Sequence, residues 1–301
     1  MSNYSQFITD DCFAIFLLHG VIRQQVPRIR NYTNKHLELD SFVSILRDLC
    51  LHGTPVSMPD IVAANYGELV LPHRAFAITF DDGFETNYSV AAPILEEFSV
   101  PTTFYITTDF IESNRPSWID MVEYAVETHS KCELQLSSIG INGRYETQLE
   151  KFFLLDEIRR LVKNNAKINP YEVAEEVWVQ LEVKDFTPDS ELDQKMNWDQ
   201  VRELSQNSLF TIGGHSHTHQ ILEYLLQPEL EQEIEVSMEK LKEQLSYPVK
   251  HYSYPEGLEH CYSDRVINVL TEQGIVCAPT AIHGVNRVGD DLFHLKRVMV
   301  V

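Results

Sequence analysis

The sequence predicts an α/β protein built on a parallel sheet, and two observations carry that reading. Short apolar runs rich in β-branched and aromatic residues, typical of strands buried on both faces, recur along the chain. Longer amphipathic helical patterns separate them. Strand–helix alternation of this kind requires a parallel sheet, closed or open.

Strands are expected at 13–18, 75–80, 102–107, 209–212, 249–254 and 275–278. The first helix follows from Phe42, Ile45, Leu46 and Leu49 behind Asp40 as a candidate cap, and a second from Ala91, Ile94, Leu95 and Phe98. Asn197 with Gln200 reads as a capping box opening a helix through Val201 and Leu204. Leu230, Ile234, Met238, Leu241 and Leu245 form an apolar stripe backed by Glu231, Glu235, Glu239 and Lys242. Residues 113–196 break the rhythm. Pro170 opens a helical pattern through Val173, Ala174, Val177, Trp178 and Leu181, and no strand is evident. Residues 1–301 therefore read as one catalytic domain with a helical insertion at about 113–196. The insertion is either a lid or wall over the site or a helical decoration.

Composition narrows the class. Apolar residues make up 44% of the 301, enough for a real core. The net charge of −21 argues against nucleic acid or an anionic membrane as the main partner. The five cysteines are scattered and form no CxxC, so neither a disulfide framework nor a thiolate zinc site is indicated. The apolar run at 13–18 is too short for a signal segment or a membrane span and lacks a basic flank. A cytoplasmic protein without membrane insertion is expected.

Two segments carry chemistry. His215-Ser216-His217-Thr218-His219 holds three of the twelve histidines in five residues. On a helical turn His215 and His219 would share a face and grip one ion, with His217 pointing elsewhere. Asp81-Asp82-Gly83 ends a strand, where active sites of parallel α/β folds assemble. Adjacent acids point in different directions, so one can bind a metal while the other faces a water. Read alone, the acid pair also fits a strand-end turn with an Asp capping the next helix, and the histidine run a solvated polar loop. Together they fit a three-ligand site of Asp82, His215 and His219 with Asp81 as general base. The ion would bring its water towards a pKa of ~7 and polarise a carbonyl. Zinc suits this donor set, and cobalt, nickel and manganese are the other divalent candidates.

These segments resemble the first two motifs of the polysaccharide deacetylases, carbohydrate esterase family 4 or the NodB-homology group. Thr79-Phe80-Asp81-Asp82-Gly83 is similar to the first, and His215-Ser216-His217-Thr218-His219 to the second, whose outer histidines bind the ion. The two lie some 130 residues apart in the family's order. Tyr252-Ser253-Tyr254-Pro255-Glu256-Gly257 resembles the third, a loop lining the substrate groove. Weaker likeness runs from Leu17-Leu18-His19-Gly20-Val21 through Phe104-Tyr105-Ile106-Thr107-Thr108 and Trp118-Ile119-Asp120 to Gly284-Val285-Asn286 and Leu295-Lys296-Arg297.

The resemblance implies a distorted (β/α)7-type barrel that hydrolyses the N-acetyl group of an amino sugar. A metal-activated water, deprotonated by Asp81, attacks the amide carbonyl, and a backbone N–H near Glu256 helps hold the oxyanion. It also implies substrate contacts from Tyr254, Pro255 and Glu256. The family's third motif carries an arginine two residues before the proline and an aromatic after it, where this chain has Ser253 and Glu256. Arg297 is the candidate replacement partner for Asp81, against its reading as a surface arginine. His283 lies in the region of the family's late histidine and is the candidate general acid. His19 is a candidate substrate-side residue or a structural histidine, and Asp120 a candidate groove residue. The expected substrate is an N-acylated sugar, an intracellular precursor of surface polysaccharide. Removal of formyl or another small acyl group, or sugar binding without turnover, are the alternatives.

Overall fold

The structure is a computed structural model that describes residues 3–24 and 28–301. In chain order its elements are β1 (Ala14–Leu18), β2 (Gly20–Ile22), β3 (His36–Glu38), α1 (Leu39–His52), β4 (Thr54–Pro55), α2 (Met58–Asn65) and β5 (Ala75–Phe80). There follow α3 (Ala92–Glu97), β6 (Thr102–Ile106), α4 (Thr108–Ser113), α5 (Trp118–Thr128), β7 (Cys132–Leu136), β8 (Ile141–Tyr145), α6 (Gln148–Lys163) and α7 (Pro170–Gln180). The chain closes with α8 (Trp198–Gln206), β9 (Phe210–Gly214), α9 (Gln227–Leu245), α10 (Asp264–Glu272) and β10 (Val298–Met299).

The chain divides into two compact units. Of the described residues, the first comprises 3–24, 35–115 and 194–301, and the second 28–34 and 116–193. The first unit carries a parallel sheet in the order β10-β1-β5-β6-β9, with β4 also on β5. Every residue of β1, β5 and β6 is buried, which explains their unbroken apolar runs. Helices α1, α8, α9 and α10 turn apolar stripes such as Phe42/Leu46/Leu49 and Leu230/Ile234/Leu241 into the same core.

Beyond β9 the expected strands at 249–254 and 275–278 reduce to isolated parallel bridges, Gly214 with Tyr252 and His251 with Cys277. A further bridge joins His283 to Arg297, next to β10. Pro248 and Pro255 flank the first of these segments, and neither can donate to a ladder. Helix starts show one difference. Asp40 lies inside the first turn of α1, where it complements the dipole, and Glu38 occupies the cap position. Asn197 and Gln200 form the expected capping box of α8.

The second unit has its own core, formed by residues such as Val122, Leu134, Leu155, Ile158 and Val177. It is not purely helical. β7 and β8 form an antiparallel hairpin in register Cys132↔Tyr145 to Leu136↔Ile141. The signal was the alternation Cys132-Glu133-Leu134-Gln135-Leu136, buried at every second residue, closed by a turn with Gly140 at φ +72°. Among the described residues, no helix is long and apolar enough to cross a membrane.

Candidate metal centre and active site

β5 lies between β1 and β6, pairing Phe80 with Leu18 and with Phe104. The Asp81 N–H extends that ladder by donating to the Leu18 carbonyl at 3.0 Å. The backbone then turns left-handed, with φ of +76° at Asp82 and +90° at Gly83. A Cβ on Gly83 would stand 3.0 Å from Ile111 Cδ1. Glycine thus permits the turn that sends the two carboxylates in different directions.

The histidine segment leaves the end of β9 as a loop, which corrects the helical-turn expectation. Ser216 and His219 both adopt positive φ, +64° and +61°. The Ser216 hydroxyl accepts the His219 N–H at 2.9 Å. Thr218 gives its N–H to Glu233 of α9 at 2.5 Å and its hydroxyl at 3.0 Å. The His217 ring nitrogen pairs with the Thr108 hydroxyl at 2.9 Å, away from its neighbours. These ties bring the rings of His215 and His219 to 5.0 Å between centroids.

His215 Nδ1 lies 2.7 Å from the Ser253 carbonyl. A carbonyl only accepts, so Nδ1 carries the proton and the neutral ring presents a bare Nε2. That nitrogen is 3.5 Å from Asp82 Oδ1, and His219 Nε2 is 3.3 Å from the same oxygen. Asp82 Oδ1 is buried and meets no hydrogen-bond donor of ordinary geometry. One ligand atom from each of Asp82, His215 and His219 falls within 4.8 Å of the others. Two imidazole lone pairs converging on an orphaned carboxylate oxygen fit a divalent cation of the zinc type.

Asp81 faces a different partner. Arg297, only 1% exposed, donates to Asp81 Oδ1 at 2.9 Å and Oδ2 at 2.8 Å. Its remaining N–H groups reach the Thr280 carbonyl at 2.6 Å, Thr79 Oγ1 at 3.2 Å and Ser253 Oγ at 2.8 Å. All five guanidinium donors are used, and the surface-arginine alternative is excluded. Ser253 in turn donates to Asp81 Oδ2 at 3.3 Å.

Charge follows from these contacts. Burial pushes the Asp81 carboxyl up, but Arg297 and the nearby imidazoles outweigh it and hold Asp81 below its ordinary value. Asp82 is held well below that range, with Lys35, His215 and His219 overcoming burial. For His215 burial favours the neutral ring, yet Asp81 and Asp82 shift it upward. Burial drives half-buried His19 down to about 4, with Asp82 opposing and Lys35 adding to the fall. His19 therefore faces the carboxylates as a neutral ring at pH 7.

Other predicted residues lie elsewhere. His283 is exposed and rests edge-on against Phe7 at 5.2 Å, so it is not drawn into the carboxylate–imidazole cluster. Tyr254 is 1% exposed, stacked on Tyr262 at 4.4 Å with its hydroxyl on the Phe293 carbonyl, and packs as core instead of lining a groove. Pro255 is buried, while Glu256 is half-buried at φ +61° before Gly257 at +58°. Asp120 belongs to the second unit, 5% exposed in the first turn of α5, where its charge acts on Arg30.

Two site residues escaped the sequence. Lys35 sits in a loop without periodicity, yet its Nζ is 3.0 Å from Asp82 Oδ2. Glu233 was detectable, because it lies on the apolar side of the α9 stripe, beside Ile234, and a buried carboxylate needs a partner.

The polysaccharide deacetylase family profile matches residues 70–278. The chain belongs to the polysaccharide deacetylase family. The match spans both carboxylates, both outer histidines and the Ser253 loop. Solved structures share the fold. IcaB from Ammonifex degensii is 16% identical with a TM-score of 0.61, over 97% of this chain and 93% of that one. The deacetylase PplD from Streptococcus pyogenes, in complex with acetate, is 16% identical with a TM-score of 0.62, covering 97% and 94%. The BpsB deacetylase domain from Bordetella bronchiseptica is 17% identical with a TM-score of 0.57, covering 96% and 95%. No match was found among curated proteins.

Proposed function

We propose that this deacetylase-family protein hydrolyses the N-acetyl group of an amino sugar, using one divalent metal, zinc first among the candidates, held by Asp82, His215 and His219. The observation that carries this reading is the placement of an ionised, arginine-clamped Asp81 beside the three converging ligand atoms. When bound there, a divalent ion supplies Lewis acidity towards the acetyl oxygen and towards water. Asp81 accepts the proton of the attacking water and returns it to the amine nitrogen as the C–N bond breaks, and Arg297 keeps the base ionised and fixed in rotamer before the attack. His215 is held to one tautomer by the Ser253 carbonyl, so its ligand nitrogen needs no reorganisation. Loops following β5 and β9 shape the immediate surroundings of the cluster.

We assign the substrate to intracellular precursors, nucleotide-linked or lipid-linked amino sugars and short oligosaccharides. All five cysteines are free, three of them buried, which fits a reducing compartment. The test is acetate release from N-acetylated nucleotide sugars, monosaccharides and chito-oligomers by metal-loaded protein. Acetate from one of these, lost on chelation and restored by metal, is the expected result. A metal-loaded protein that releases acetate from none but formate from an N-formyl sugar would replace the acyl group in this reading.

A further inference from the structure

Lys35 contacts the candidate metal centre but has no part in the chemistry above. Its Nζ stands 3.0 Å from Asp82 Oδ2, the two side chains being 17% and 4% exposed. The other oxygen, Oδ1, is the one that both histidine nitrogens face. The carboxylate is thus divided, one oxygen to an ammonium and one to the cluster.

Packing holds this division in place. Lys35 immediately precedes β3, which pairs with β2 through Gly20 and His36. The His36 ring occupies the space a side chain on residue 20 would need. The same ring meets Phe84 edge-on at 4.5 Å between centroids. Lys35 Nζ lies 4.7 Å from the Phe84 ring centre, a cation–π contact. Phe84 follows Asp82 by two residues, so one packed group fixes both ends of the ion pair.

We propose that Lys35 is a positioning residue that keeps Asp82 a one-oxygen metal ligand by engaging Oδ2. This rests on the reading of Asp82, His215 and His219 as metal ligands. A carboxylate with both oxygens free can bind an ion in bidentate fashion. That mode would fill coordination space a hydrolytic site leaves for water and substrate. Lys35 also sets a positive charge against the incoming ion. Loss of an ordinary outer partner weakens metal binding by about 10–100-fold. Loss of this cationic one has the opposite effect and tightens it.

The test is a Co2+ titration of the metal-free full-length protein, wild type against Lys35→Met, Lys35→Gln and Lys35→Arg, with circular dichroism checking the fold of each. Both neutral variants are expected to bind Co2+ about tenfold tighter or more, because a unit charge within a few ångströms is gone. Their visible absorption band should also weaken as the coordination number rises, while Lys35→Arg keeps the wild-type values. A folded neutral variant with an unchanged band, or with looser Co2+, overturns the role of Lys35 while the metal reading stands. Wild-type protein that binds no Co2+ overturns both together.

Discussion

Arg297 buries a guanidinium whose five donors are all spent inside the protein, two of them on Asp81. Such a pair is costly to break, since removing one partner leaves the other charged and desolvated. Arg297→Met should destabilise the fold by about 3–5 kcal/mol at neutral pH, measured by urea denaturation. It should also move the acidic limb of kcat/KM upward. The Asp81 carboxyl is depressed in the folded protein, so its contribution to stability is present above the ordinary range near ~4 and lost as pH falls through the lower folded value. In Arg297→Met burial acts without that counter-charge, so Asp81 takes up its proton at higher pH and its stabilising contribution is removed. An acidic limb unchanged from wild type would separate Arg297 from the base. At this scale the motif residues and Arg297 were legible, because their residue types have few uses in such places. The position of Lys35 was not, since a lone lysine in a loop carries no period and its partner lies 47 residues on.

The loop from His215 to His219 shows what spacing alone conveys at the level of elements. Four-residue spacing suggests a helical turn, whereas two left-handed residues, the Ser216 hydroxyl and the Glu233 carboxylate bring the rings together. The sequence has no periodic signature for such a loop. Its restraints come from α9, well downstream. Glu233→Gln, which weakens the charge-assisted bonds to Thr218, should reduce metal affinity by about tenfold with secondary structure intact, read by calorimetric titration. Gly83→Ala tests the other side of the site. Its φ of +90° and the 3.0 Å approach to Ile111 predict a cost of about 1–3 kcal/mol in unfolding experiments. A neutral effect would mean that the turn relaxes freely. The buried strands β1, β5 and β6 were plain from their apolar runs, while 249–254 and 275–278 had strand composition but pair only at single bridges.

On the scale of the whole molecule, the parallel-sheet unit carries the cluster, and the second unit maintains a core of its own. The insertion shows in the sequence as a break in strand–helix rhythm, but its hairpin is short beside the helical patterns around it, and residues 28–34 join it through long-range ties. Arg28 reaches Asp189 and Arg30 reaches Asp193, pairings that local pattern cannot reveal. In the first unit, the candidate ligands come from the ends of β5 and β9, so a metal bound there would stabilise the fold through widely separated chain segments. Saturation at 100 times Kd adds about 2.7 kcal/mol. For a chain of this size that raises Tm by several degrees, at about 2–4 °C per kcal/mol, and chelation should reverse it. The most direct test of the account pairs metal content with acetate release in wild type and Asp81→Asn. Asp81→Asn is expected to hold one divalent ion as wild type does, while kcat falls by about 10²–10⁴. A variant that keeps its metal and full turnover would contradict the assignment of Asp81 as the base, and with it the proposed mechanism.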